Sequence, residues 1–156
     1  MSTYRFIGLN AALFEPLFEL SDEELARMGA KRCTADEKPG FPCRISLEDA
    51  EVGEELLLLA FEHQAAASPY RASGPIFVRR GATQRTLDAA NLPPYISRRL
   101  MSVRAYDGAH MMVDAAVCEG TAVAGEIERQ LANASVAYIH LHNAKRGCFS
   151  CRVERA

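Results

Sequence analysis

Val136-Ala137-Tyr138-Ile139-His140-Leu141-His142 is followed, after the turn-prone stretch Asn143-Ala144-Lys145-Arg146-Gly147, by Cys148-Phe149-Ser150-Cys151-Arg152-Val153. Side chains of a strand alternate between two faces. In the first segment Ala137, Ile139 and Leu141 share one face, and Tyr138, His140 and His142 the other. In the second, Phe149, Cys151 and Val153 share a face, and Cys148, Ser150 and Arg152 the other. Burying both apolar sets together predicts an antiparallel hairpin with His142 opposite Cys148, His140 opposite Ser150 and Tyr138 opposite Arg152. A slip of one residue would put Arg152 in the core.

A second hairpin is predicted from Leu100–Tyr106 and His110–Val117 around Asp107-Gly108-Ala109. A three-residue loop sets Ala105 opposite Met111, Val103 opposite Val113 and Met101 opposite Ala115, which buries one apolar face. Ser102, Arg104, Tyr106, His110 and Asp114 then share the other. Tyr4–Leu9 and Pro75–Arg79 read as further strands. Glu55–Phe61, apolar on both faces, reads as a central covered strand. Ser21-Asp22-Glu23-Glu24 is a capping box opening a helix that stops at Gly29. Val123, Ile127 and Leu131 recur at helical spacing within Thr121–Asn133. Short helical turns are expected at Ser46–Ala50 and Pro93–Arg98, and loops at Lys38–Arg44, Gln64–Gly74 and Arg80–Asn91. The prediction is a single α+β domain over residues 1–156, a mostly antiparallel sheet with two main helices.

The net charge is −2 and the sequence pI is near 6.1. That lacks the basic surplus of a general nucleic-acid binder, so no nucleic-acid partner is expected. The longest apolar run, Leu56–Phe61, is far below the roughly 20 residues of a membrane span, so no membrane partner is expected. Met1–Gly8 carries no signal-peptide pattern, and five cysteines make an odd set, which points to reduced thiols in the cytoplasm.

The candidate site residues gather at the C-terminal hairpin. His140, His142 and Cys148 suit either nucleophilic catalysis, with a thiol beside an imidazole, or a mononuclear metal site on the same three side chains. Cys43 is a further catalytic candidate, presented with Arg44 after a rigid proline turn. Arg44, Tyr70, Arg71, Ser73 and Arg104 are candidates for gripping a carboxylate or phosphate. Each has a blander reading. The histidines cover a sheet face, Cys43 is core, Arg71 and Ser73 are surface, and Arg104 pairs with Asp114 on the next strand. Cys148-Phe149-Ser150-Cys151 resembles a redox pair, but on a strand its thiols point opposite ways. The leading functional expectation is therefore a site for a small anionic ligand, enzymatic or not. The alternatives are the metal site and a non-catalytic binding or regulatory module. The sequence names no cofactor and no oligomeric state.

Several blocks carry a wider likeness: PGFPCRISLEDA (39–50), GEELLLLAFEH (53–63), SPYRASGPIFVRR (68–80), IHLHNAKRGC (139–148) and the final RVERA (152–156). In this order they resemble a bacterial domain-of-unknown-function family, number twelve-oh-three. The resemblance implies a stand-alone bacterial single-domain protein, and it assigns no activity, substrate, cofactor or functional residue.

Overall fold

The computed structural model describes residues 3–156. Met1 and Ser2, part of the stretch read for an export signal, lie outside the described residues. In chain order the strands are β1 (Tyr4–Ile7), β2 (Lys31–Thr34), β3 (Pro42–Cys43), β4 (Glu48–Asp49), β5 (Glu55–Gln64), β6 (Ala72–Arg79), β7 (Thr86–Asp88), β8 (Leu100–Asp107), β9 (Met112–Glu119), β10 (Val136–Asn143) and β11 (Phe149–Arg155). The α-helices are α1 (Asp22–Arg27), α2 (Pro94–Ser97) and α3 (Val123–Leu131), with short 3-10 turns at Ala11–Leu13, Glu15–Glu19 and Gly120–Ala122. The α+β class with mostly antiparallel pairing holds, but the strands divide between two sheets. One has the order β7-β1-β11-β10-β8-β9, the other β2-β5-β6-β3-β4, and among the described residues only β3 and β6 run parallel.

The first sheet has a helix-covered face. Met101, Val103, Ala105, Ile139, Leu141, Cys151 and Val153 point there and pack on Ile96, Val123, Ile127 and Leu131. Alternation then sends Tyr138, His140 and His142 to the opposite face, toward the second sheet. The second sheet buries Leu57, Leu59, Ile76 and Val78 against Phe14, Phe18 and Leu25 from the N-terminal turns and α1. Phe149 from β11 joins that second cluster, so it bridges the sheets. The α1 capping box forms as expected: Glu24 N–H donates to Ser21 Oγ at 3.1 Å, and Ser21 N–H donates to Glu24 Oε2 at 2.9 Å.

Both hairpins exist, in registers other than those expected. In β10–β11, His140 lies opposite Arg152 and Tyr138 opposite Glu154. A bulge after Leu141 sets His142 opposite Phe149, which turns Phe149 away from Cys151 and onto the histidine face. Cys148 precedes the strand. In β8–β9, Val103 lies opposite Ala116 and Ala105 opposite Asp114. Val113 and Val117 consequently point to solvent, 43% and 63% exposed, rather than into the core. Three local expectations are also corrected. Ser46–Ala50 is not a helical turn: Leu47 adopts a positive φ of 59° and Glu48–Asp49 pair with Pro42–Cys43. Arg80–Asn91 contains β7, an edge strand on β1. Gln64 and Ala72–Gly74, read as loop, extend β5 and β6.

A close backbone approach seats the loop that carries Arg44. Leu9 N–H donates to the Arg44 carbonyl at 2.9 Å, and a Cβ on Gly8 would lie 2.1 Å from the Ile45 carbonyl oxygen. Glycine at position 8 is what lets β1 run against residues 44–45.

Candidate functional site

Two polar clusters lie on the side of the first sheet that faces the second. One is a layer of rings between the sheets. His63, from the end of β5, stacks on Phe149 at 5.5 Å and stands edge-on to His142 at 4.8 Å between ring centroids. His140 lies against Tyr106, Tyr138 and Phe149 at 5.1–5.2 Å. His140 and His142 are almost wholly buried. His142 Nδ1 is 2.9 Å from the Gly147 carbonyl, which sets that nitrogen as the N–H donor. Its Nε2, and Nδ1 of His63 and of His140, have no hydrogen-bond partner among the described residues. Burial, with cationic neighbours adding to it, holds His140 down to about 2 and His142 down to about 3; His63 is lowered for the same first reason. These imidazoles are neutral at physiological pH.

Arg104 borders this layer. Its expected partner Asp114 lies on the other face and pairs with Arg129 at 3.0 Å. Arg104 instead donates from Nε to Ser102 Oγ at 3.0 Å. Tyr70 stands edge-on to Tyr106 at 6.1 Å, so the loop after β5 closes over the same layer. Arg71 does not join it: both ends of its fork grip Glu62, at 3.0 and 3.3 Å, and Ser73 is exposed on β6. Among the described residues, no three His, Cys, Asp or Glu side chains are arranged to hold a metal ion. The expectation of a metal on His140, His142 and Cys148 therefore gains nothing from the geometry.

The second cluster is a cleft of about 560 Å³ where β3, β6 and the β10–β11 turn meet. Its polar lining is Arg44, Arg99, Asn143, Arg146, Cys148 and the carboxylate Glu37; its apolar lining includes Phe41, Leu58, Pro75 and Phe77. A smaller cavity of about 300 Å³, lined in part by Arg98 and Lys145, shares Arg99, Asn143 and Arg146 with it. Arg98 is engaged by Asp49. Arg99 reaches the Tyr95 carbonyl, while Arg146 and Lys145 form no ion pair among the described residues.

Arg44 is the unusual member. It is 3% exposed, yet its only bonds go to main-chain carbonyls: Nε to Phe149 at 3.0 Å and Nη1 to Pro42 at 2.7 Å. Among the described residues no carboxylate pairs with it. The guanidinium also lies over the Tyr95 ring, 5.8 Å from its centroid. Among the described residues the remaining terminal nitrogen, Nη2, has no hydrogen-bond partner, and Arg44 lines the cleft. Burial lowers the Arg44 pKa from its ordinary value, although arginine keeps its charge at any working pH. Cys43, beside it, points into the second core, where its Sγ accepts from Arg79 N–H at 3.3 Å.

The cleft thus joins Arg44 and Cys148, which the sequence had nominated separately, to Arg99, Asn143 and Arg146, which it had not. The signal for the missed residues was two dibasic pairs, Arg98-Arg99 and Lys145-Arg146, each beside a strand end. In the sequence His63, just after the apolar strand, offers a base or ligand, or more often a satisfied strand-end histidine.

Residues 40–155 match a family described as Protein of unknown function (DUF1203). The chain belongs to that family. The DUF1203 segment contains the whole ring layer and every cleft residue named above except Glu37. No curated protein and no solved structure matches this DUF1203 chain.

Proposed function

We propose that this protein binds a small organic anion with an apolar body in the cleft beside Arg44. The observation that supports this reading is an almost wholly buried guanidinium whose partners among the described residues are two main-chain carbonyls and the Tyr95 ring, with no carboxylate. Burying a charge without an opposite charge costs several kcal/mol. An anionic group in the cleft offsets that cost, because guanidinium meets carboxylate or phosphate in charge-assisted pairs. Arg99 and Arg146 lie along the same wall, and Phe41, Leu58, Pro75 and Phe77 offer surface for the rest of the ligand. The volume falls within the roughly 300–1,000 Å³ usual for small-molecule sites.

Thermal-shift and calorimetric titrations with acetate, phosphate, phenylacetate and neutral phenylacetamide test it. Phenylacetate should stabilise the protein more than acetate or the amide does. Arg146→Gln, at an exposed side chain with no ion pair to lose, should weaken phenylacetate about tenfold, the equivalent of one charge-assisted hydrogen bond. Equal binding of acid and amide, or unchanged binding by Arg146→Gln and Arg44→Met, would overturn the reading.

A further inference from the structure

Cys148 is the cysteine whose partly exposed residue lines the cationic cleft. Cys43 and Cys151 are buried in the two cores, and burial pushes the Cys151 thiol up to about 12. Cys33 and Cys118 are partly exposed but sit on the edge strands β2 and β9, away from the cleft. The second observation is the buried Arg44, which lines the same cavity as Cys148 and whose Nη2 has no hydrogen-bond partner among the described residues.

We propose that Cys148 is a modification site for small anionic disulfides, which the cleft cations hold beside the thiol. The step is thiol–disulfide exchange. Cys148 loses its proton to solvent and its sulfur attacks one sulfur of the bound disulfide. A new S–S bond forms as the old one breaks. The electron pair of the broken bond leaves on the other sulfur, which departs as a thiolate and takes a proton from solvent. The small disulfide is reduced and Cys148 is oxidised to a mixed disulfide. Arg44, Arg99 and Arg146 do not enter the exchange; they concentrate the anionic reagent. The inference rests on the anion-binding reading of the cleft.

The test compares oxidised glutathione, net negative at neutral pH, with cystamine, net positive, and follows each cysteine by peptide mass spectrometry. Rates are divided by those of the urea-unfolded chain to remove intrinsic reactivity. With oxidised glutathione, Cys148 should react about tenfold or more faster than Cys33 or Cys118, a factor at the low end of electrostatic steering. The preference for the anionic reagent should shrink in Arg146→Gln and in high salt. Cys148 reacting no faster than Cys33 and Cys118, or preferring cystamine, would overturn the proposal. A parallel phenylacetate titration of Cys148→Ser separates the two ideas. Binding without the disulfide preference removes this inference alone, and loss of both removes the anion reading with it.

Discussion

Acidification from pH 7 to pH 5 should destabilise this fold by at least about 4 kcal/mol, about 2 from each of two buried imidazoles, and His63, also lowered by burial, adds in the same direction. His140 and His142 lie among rings and stay neutral until the pH approaches about 2 and about 3. In the unfolded chain both titrate near their ordinary value of about 6.5. The folded values are depressed, so the stability is whole above about pH 6.5, where both states are neutral, and is lost as the pH falls toward the folded values. Below 6.5 the unfolded state binds more protons, which makes stability rise with pH. At pH 5 the unfolded imidazoles sit about 1.5 units below their pKa, at about 1.4 kcal/mol per unit. Glu55 and Glu126 are also lowered in the fold, but they act only below their ordinary range near 4.5, outside this window. The assay is urea denaturation between pH 7.5 and 5.0, with the m-value held as a check on two-state behaviour. His140→Phe places a non-titrating ring between Tyr106, Tyr138 and Phe149 and should remove about 2 kcal/mol of the loss between pH 7 and pH 5. Stability unchanged from pH 7 to 5, or an undiminished slope in His140→Phe, would refute the reasoning.

Other substitutions probe the frame around the site. Gly8→Ala forces a Cβ against the Ile45 carbonyl oxygen and should cost about 1–3 kcal/mol, as overpacking does, read as a lower thermal midpoint. Tyr95→Phe removes a buried hydroxyl that donates to the Ser150 carbonyl at 3.0 Å; the expected loss in denaturant melts is about 1 kcal/mol. Val113→Thr should change stability by no more than about 0.5 kcal/mol, since that side chain faces solvent. A core-sized loss there would restore the register expected from the apolar pattern.

The local elements were legible where one physical signal dominated. The Ser21 capping box, the Val123/Ile127/Leu131 stripe of α3 and the alternation of β10 depend on near neighbours. Register was harder because β9 is apolar on both faces. Met111, Val113 and Val117 alternate with Met112, Ala116 and Cys118, so hydrophobicity alone does not choose between them. Turn chemistry chooses instead. The Asp107 side chain accepts from Ala109 N–H at 2.9 Å and Met111 N–H at 3.0 Å, and His110 takes a positive φ of 63°. The loop lengthens, and Asp114 turns to the helix side, where Arg129 receives it.

The cleft was hidden for a different reason. Arg44 reaches the Phe149 carbonyl across 105 positions of sequence. Three long-range events bring the two together: the parallel pairing of β3 with β6, the seating of residues 44–45 against Gly8, and the bulge that turns Phe149 toward the second sheet. None leaves a periodic trace in the chain. What the sequence could display was charge type, a lone arginine in an apolar proline turn and two dibasic pairs at strand ends. Arg98 is answered by Asp49, and Arg44 by two carbonyls and the Tyr95 ring. Neutral carbonyls orient a guanidinium but leave its charge in place, so the cleft keeps a cationic wall. The proposed amphiphilic anion would answer that residual charge while covering the apolar surface of Phe41 and Phe77.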